Sequence, residues 1–221
     1  RLGVLMGNGQ LLSGDYILAL VVNEILSSSN NAKNQVVVVN DATSNVVRDI
    51  VEKFGAKIKE VEVGEINIVE EMGKTKAIAG GEGSSGGVVI PPSKCRDGIL
   101  TLLMVLAITA KKQRKLEEIV REFPKYYTLK KKIEFDASKH SNIKKYIKNY
   151  YLSKGFEIRE TGGVKGGLKA IKNRSSFAWF RASRTEGSFF RIITDSSNKE
   201  EAEELMEESV KLVDKNNPRF V

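Results

Sequence analysis

The 221-residue sequence is poor in cysteine and histidine: it contains one cysteine, Cys95, and one histidine, His140. A single cysteine excludes an internal disulfide and favours a reducing compartment, so we expect a cytoplasmic protein. A catalytic thiol would need a base, and His140 is the only histidine. It lies in a polar segment typical of a surface or helix-capping position, and we expect Cys95 to be partly buried.

Long hydrophobic runs are also missing. The run over residues 99–109 is too short to span a bilayer and is closely followed by lysines, so we expect no membrane partner. No signal peptide is visible. The first residue is Arg1, and initiator methionine is normally removed only before small side chains. We therefore expect a cleaved or incomplete chain.

Positive charge is in excess. Lysine and arginine number 36 against 28 acidic residues, which gives a formal net charge of +8. Such a balance favours anionic partners, either nucleic acid or phosphorylated small molecules, and does not choose between them. A hydrophobic content of 41% is sufficient for a core in each of two modest domains.

The first half of the chain predicts a three-layer α/β domain with a mixed, mostly parallel sheet. Residues 2–12 read as a hairpin around Asn8 and Gly9. Strands then alternate with helices over residues 13–122, and Ser13 and Ser44 are suited to cap two of those helices. The strand over 35–39 is apolar on both faces, which is typical of a central parallel strand.

The second half predicts an α+β domain with an antiparallel sheet and helices on one face. Proline after Phe123 ends the helical pattern, so we expect a linker over 123–133. Its lysines, Lys130 to Lys132, indicate a solvated boundary strand more than a nucleic-acid patch. A helix, a run of short strands and a final helix follow over 134–221. A capping box, Ser197 to Glu200, is expected to open that last helix.

Two segments are candidates for binding chemistry. Gly80 to Gly87 should lie beyond the carboxyl end of a parallel strand, where its glycines permit close approach of a ligand. Glu82 and the serines Ser84 and Ser85 can hydrogen-bond vicinal hydroxyls, although most Gly/Ser-rich loops are only connections. The second segment, Arg181 to Arg191, places arginines, hydroxyls and a glycine between two strands. Its composition alone favours a hairpin turn with solvated charges over a phosphate-binding turn, although its groups suit either.

Together these segments resemble the α-D-phosphohexomutases (phosphomannomutase, phosphoglucomutase and phosphoglucosamine mutase). Residues 80–87, followed by Arg96-Asp97-Gly98, are similar to the family's G-G-E-x-S/N-G sugar loop. Residues 181–191 are similar to its R-x-S-G-T-E-P-x-x-R phosphate loop. The resemblance implies a sugar site of Glu82, Ser84 or Ser85, Gly64 and Glu65. It implies a phosphate site of Arg181, Ser183, Arg184, Thr185 and Arg191.

The same resemblance implies that the chain is the second half of a four-domain isomerase. Residues 1–12 would be the tail of domain two, 13–122 domain three, and 134–221 domain four. Arg1 would end the metal loop, so the magnesium ligands and the phosphoserine would lie upstream. Such enzymes interconvert hexose 1- and 6-phosphates through a bisphosphorylated sugar. This chain alone is expected to be inactive.

The expected partners are accordingly a hexose phosphate and the missing N-terminal half, in the same or another chain, with no nucleic acid. Two alternatives stay open: a basic nucleic-acid-binding module, and a non-catalytic fragment that binds sugar phosphates.

Overall fold

The computed structural model describes residues 2–84, 86–183 and 188–215. The chain divides into two compact units, Arg1–Lys125 and Tyr126–Val221. The first unit contains the strands and helices β1 (Val4–Leu5), β2 (Leu11–Leu12), α1 (Gly14–Ser27), β3 (Val36–Asn40), α2 (Asn45–Lys53), β4 (Lys57–Val61), α3 (Glu65–Thr75), β5 (Ala79–Gly81), β6 (Val88–Val89), α4 (Gly98–Lys112) and α5 (Leu116–Val120).

The first unit is the predicted α/β domain. Its main sheet has the order β4-β3-β5-β6, in which β3 is parallel to β4 and β5 and only β6 is antiparallel. A Cβ atom placed on Gly80 would meet side chains of α3, and one placed on Gly81 would meet Leu18 of α1. Because neighbouring strand residues point to opposite faces, α1 and α3 cover the two sides of the sheet. The prediction of three layers is therefore confirmed.

Local sequence signals set where the helices of this unit begin. The Ser13 hydroxyl accepts a hydrogen bond from the Tyr16 N–H, and the Ser44 hydroxyl accepts one from the Val46 N–H. The Asp97 carboxylate accepts from the Leu100 N–H at 2.8 Å at the start of α4. Each cap satisfies a backbone donor that has no partner within its helix, as expected for serine and aspartate at these positions.

The second unit is the predicted α+β domain. It contains β7 (Tyr127–Glu134), α6 (His140–Ser153), β8 (Glu157–Glu160), β9 (Leu168–Asn173), β10 (Ser176–Ala182), β11 (Phe189–Ser196) and α7 (Lys199–Lys215). The strands form one antiparallel sheet in the order β7-β11-β10-β9-β8. Side chains of both helices join one core with the sheet, including Ile147 and Val213. The antiparallel sheet with helices on one face is as predicted.

The linker expected over 123–133 is mostly strand in the structure. The division between the units lies after Lys125, and β7 is an edge strand that pairs with β11 alone. Its lysines are exposed, as is common on edge strands, where charge discourages pairing with another chain. The solvated strand predicted for Lys130 to Lys132 is therefore present, but it belongs to the sheet of the second unit and not to a linker.

Three local expectations are wrong. Helix α7 is capped one residue later than the predicted box, since the Asn198 side chain accepts from the Glu201 N–H at 2.8 Å. Cys95 is exposed rather than partly buried. His140 is buried and its ring lies 6.3 Å from Phe135 between ring centroids. Burial, with the nearby charges of two lysines, lowers the pKa of His140.

In the described part of the chain, no helix has both the length and the apolar character needed to cross a bilayer.

Candidate functional site

The loop after β5 is held by close approaches of its backbone to neighbouring segments. A Cβ atom on Gly83 would lie 1.6 Å from a carboxylate oxygen of Asp15 on α1. A Cβ atom on Gly86 would lie 2.1 Å from the carbonyl oxygen of Leu2. Only glycine fits such contacts, so these residues fix the path of the loop rather than loosen it. The loop lies at the carboxyl end of the parallel strand β5, where α/β sheets bind ligands.

The Glu82 carboxylate is the centre of this loop. Its Oε1 atom accepts a hydrogen bond from the Gly64 N–H at 2.9 Å. Its Oε2 atom accepts from the Ser84 hydroxyl at 3.4 Å and lies 3.3 Å from a guanidinium nitrogen of Arg96. The side chain is only 8% exposed. A carboxylate this buried is stable because it is hydrogen-bonded and faces a cation.

Arg96 joins Glu82 to a second carboxylate. The Arg96 backbone N–H donates to Glu65 at 2.8 Å, and its Nε atom donates to the other Glu65 oxygen at 2.5 Å. Burial alone would raise the pKa of Glu65, but the hydrogen bonds and the charge of Arg96 outweigh it, so the pKa is lowered. We call Glu65, Arg96 and Glu82 the acidic cluster.

The acidic cluster can recognise hydroxyl groups. An ionised carboxylate only accepts hydrogen bonds, and it has about four lone-pair positions, more than the contacts above occupy. A ligand hydroxyl can therefore donate to Glu82 while its present partners remain. Because Arg96 and the Gly64 N–H fix the carboxylate in advance, little side-chain entropy would be lost on binding.

Of the residues that the resemblance implied for the sugar site, the structure brings together Gly64, Glu65, Glu82 and Ser84. Ser85 lies outside the described residues. Arg96 is a member of the cluster that was not predicted. Two features of the sequence could have indicated it. Arg96 directly precedes Asp97, the capping residue of α4, and it belongs to the segment that resembles the family's sugar loop.

The second candidate group lies in the other unit, where β10 and β11 end. Arg181 and Arg191 are direct partners across this antiparallel pair, so their side chains lie on the same face of the sheet. The Arg191 guanidinium donates to the Ser183 hydroxyl at 3.4 Å, and the Ser183 N–H donates to the Phe189 carbonyl at 2.7 Å. Arg184 and Thr185, like Arg1, lie outside the described residues.

A further cation extends this row. Lys132 of β7 is the register partner of Arg191 and is exposed. Three cationic side chains, those of Arg181, Arg191 and Lys132, therefore follow one another across three adjacent strands. We call this set the basic row. Such a set attracts anions, and arginine forks match the geometry of phosphate oxygens.

A metal centre is not found in the part of the chain that the structure describes, since no group there has three or more acidic, histidine or cysteine side chains placed to hold an ion.

A family model described as "Phosphoglucomutase/phosphomannomutase, alpha/beta/alpha domain III" matches residues 13–127. This is more than half of the chain and coincides with nearly all of the α/β unit. The chain belongs to the phosphoglucomutase/phosphomannomutase family, as the resemblance indicated.

Curated relatives agree with this assignment. The chain is 31% identical over 208 residues to a phosphoglucomutase/phosphomannomutase of Thermococcus kodakarensis, covering 94% of this chain and 43% of the relative. It is 30% identical to a phosphoglucosamine mutase of Methanocaldococcus jannaschii, covering 93% of this chain and 44% of the relative. The chain therefore spans less than half the length of the relatives it matches.

Solved structures show the same fold. The phosphoglucomutase parafusin from Paramecium, in an open form, matches with a TM-score of 0.78 and 18% identity over 97% of this chain and 44% of that one. The N-acetylphosphoglucosamine mutase of Aspergillus fumigatus, solved with GlcNAc-6P and magnesium, matches with a TM-score of 0.66 and 16% identity. This chain covers 45% of that protein.

Proposed function

We propose that this chain is the sugar- and phosphate-recognition portion of a phosphohexomutase. In the complete enzyme, a phosphoryl group would move between the 1- and 6-positions of a hexose through a phosphoserine and a bisphosphorylated sugar. The observation that carries the proposal is the acidic cluster: Gly64 and Glu65, far from Glu82 in sequence, contact the same group of side chains. Membership of the family supports the reaction class.

Each unit would recognise a different part of the substrate. The Glu82 carboxylate would accept hydrogen bonds from ring hydroxyls, with Ser84 or Ser85 beside it. In the second unit, Arg181, Ser183 and Arg191 would bind the phosphate that is not reacting, together with Arg184 and Thr185. Binding energy from these groups would position the reacting phosphoryl group.

The chemical step would require further groups, a phosphoserine and a magnesium site. We propose that the phosphoserine and the magnesium ligands lie in the rest of the enzyme, in the same or another chain. The 221-residue chain alone should then show no mutase turnover. Measurable isomerisation of glucose 1-phosphate by the purified chain would contradict this part of the proposal.

Isothermal titration calorimetry with glucose 1,6-bisphosphate measures the binding that the proposed sugar and phosphate sites predict. We expect Glu82→Gln and Arg191→Met each to weaken binding about tenfold or more, because each loses a charge-assisted hydrogen bond. Arg159→Met is the matched control, since Arg159 forms an exposed ion pair with Glu157 outside both groups. Equal affinity in all four proteins would refute the proposed site.

The same titration with single-stranded RNA examines the basic nucleic-acid-binding alternative. Micromolar binding of RNA with a steep salt dependence, and no binding of the bisphosphate, would favour that alternative.

Restoration of turnover is a separate test. The chain is mixed with a polypeptide that carries the family's domains I and II, and the mixture is assayed with several hexose phosphates. Bisphosphate binding without such restoration would favour the non-catalytic fragment.

A further inference from the structure

A pocket of about 340 Å³ opens between the end of α3 and the segment that follows β6. Met72 and Gly73 of α3 form one wall, and Pro91 and Pro92 form the other. This volume is within the range of small-molecule sites in proteins. Helix α3 begins at Glu65 of the acidic cluster, so Gly73 lies about 12 Å farther along the helix. We call this second cavity the α3 pocket.

The floor of the α3 pocket is apolar and well packed. Met72, Ala77 and Val89 line it, and all three are buried members of the core cluster between α3 and the sheet. On the other wall, the Ser93 N–H donates to the Ile90 carbonyl at 3.0 Å and closes the proline segment into a turn. Prolines also fix their own backbone angles. The pocket is therefore a preformed site at which an apolar group would leave water.

Gly73 leaves space at this pocket that the packing of the unit does not require. It lies within α3, where glycine is less favourable than alanine. A Cβ atom on Gly73 would have no neighbouring atom within 4 Å, whereas one on Gly80 would lie 2.5 Å from the Met72 sulfur. No close approach of the backbone therefore explains a glycine at residue 73. Its effect is to leave the α3 pocket open.

Two lysines give the mouth of the α3 pocket a positive charge. Lys76 follows the end of α3, Lys94 lies on the opposite wall, and both are exposed. No ion pair with a described residue occupies either ammonium group. The Ser93 hydroxyl, which also lines the pocket, already donates to the Cys95 carbonyl at 3.0 Å. The side-chain donors that a ligand would meet are therefore the two ammonium groups.

We propose that the α3 pocket binds a small amphipathic carboxylate. Its apolar body would pack against Met72 and Val89, and its carboxylate would lie between Lys76 and Lys94. Lysine suits this mouth, because its aliphatic stem can cover apolar surface while its charge stays in water. A phosphate dianion fits less well, since an apolar lining cannot replace the water that it would lose. This site is distinct from the acidic cluster and the basic row, and its assignment does not depend on the proposed function.

NMR of the 221-residue chain labelled with methyl-¹³C methionine tests the site, with sodium octanoate as the probe. The four methionines report on different places: Met72 on the α3 pocket, Met6 on the segment after β1, Met104 on α4 and Met206 on α7. Octanoate should shift the Met72 signal in a saturable manner, with a Kd of about 1 mM or lower for a ligand of about ten non-hydrogen atoms. The other three signals should not move.

Two variants test the two features of the pocket. Gly73→Leu adds a side chain where space is open and should weaken octanoate binding at least about tenfold. Gly3→Leu is the matched control, because a Cβ atom on Gly3 also has no neighbour within 4 Å. Lys76→Asn/Lys94→Gln should weaken octanoate binding about fivefold and leave binding of uncharged 1-octanol unchanged. Asparagine is chosen because Lys76 has a φ of 53°, which asparagine tolerates.

The outcomes are distinct. A saturable shift of Met72 that Gly73→Leu loses and Gly3→Leu keeps supports the proposal, with unchanged Met6, Met104 and Met206 signals as the check of folding. No shift of Met72 up to about 10 mM octanoate, or equal binding by Gly73→Leu, overturns it. A shift of Met104 alone also overturns it, since the probe then binds α4. The lysine variant changes only exposed side chains and tests the carboxylate independently. Unchanged octanoate binding, or an equal loss for octanoate and 1-octanol, overturns that assignment.

Discussion

Replacement of Arg96 by methionine tests the physical basis of the acidic cluster. The substitution keeps most of the aliphatic length but removes the cation between Glu65 and Glu82. The Arg96–Glu82 pair is 3.3 Å long, and its side chains are 19% and 8% exposed. At that distance the attraction is about 5 kcal/mol for an effective dielectric constant near 20, before the cost of desolvation. Loss of one partner from such a pair leaves a buried charge, so we expect unfolding of the first unit to become easier by about 3 kcal/mol.

The effect should depend on pH, with a sign set by Glu65. In the wild type its folded pKa lies below its ordinary value of 4.5, so its ionisation stabilises the fold above that pH. This contribution is lost as the pH falls through the folded pKa. In Arg96→Met the part of this contribution that comes from the guanidinium is absent at every pH, whereas the hydrogen bond from the backbone N–H of residue 96 is retained. The difference in unfolding free energy between the two proteins should therefore be largest near pH 7 and shrink below pH 4.5.

Urea denaturation followed by far-UV circular dichroism measures this difference. Tryptophan fluorescence does not report on the first unit, because the only tryptophan is Trp179 in the second. Arg159→Met is the control, since its ion pair with Glu157 is 2.7 Å long but 51% and 58% exposed. Exposed pairs contribute about 0–1 kcal/mol. The reasoning is refuted if Arg96→Met and Arg159→Met cost the same, or if the cost of Arg96→Met is the same at pH 7 and pH 3.5.

Three other changes probe the fold. Gly83→Ala should destabilise the first unit by about 3 kcal/mol or more, because its Cβ atom would overlap the Asp15 carboxylate. A Cβ atom on Gly3 would have no neighbouring atom within 4 Å, so Gly3→Ala should be neutral in the same urea titration. The folded pKa of His140 lies below its ordinary value of 6.5, so the unfolded state binds the proton more tightly. The free energy of unfolding should therefore fall as the pH drops below 6.5. His140→Leu should reduce this loss of stability between about pH 7.5 and pH 5.5. Asn198→Ala removes the cap of α7 and should cost about 1 kcal/mol, seen as a lower midpoint in tryptophan fluorescence; an unchanged midpoint would contradict the cap.

Much of the fold could be predicted because its signals are local. The four consecutive valines of β3 indicate a strand buried on both faces, and the structure places β3 between two parallel neighbours. Ser13 and Ser44 cap the helices that they were expected to cap. Hydrogen bonds of this kind join residues two or three positions apart, so they depend little on the rest of the chain.

Part of the candidate site could be predicted as well, by resemblance to known motifs. Glu82, Gly64 and Glu65 were named from two separate segments, and the structure places them in one cluster. Arg96 was part of the motif that resembles the sugar loop but was not predicted as a site residue, because an arginine before a helix cap is indistinguishable in sequence from an exposed one. Its bonds to Glu65 join residues 31 positions apart, and the packing of the unit brings them together.

The sequence by itself determined the order of helices and strands, the two fold classes and the glycine-rich loop, since periodicity, caps and turn residues act over a few positions. Only the tertiary structure decided which charges meet and which side chains are buried. It placed His140 beside Phe135 and Phe190 in the core, although the polar residues around it in the chain suggested a surface position. It also left four apolar side chains of α4 exposed, although leucine and isoleucine ordinarily predict burial: Ile99, Leu102, Leu103 and Leu106. Burial and ion pairing depend on residues distant in sequence, and the folded chain sets those distances.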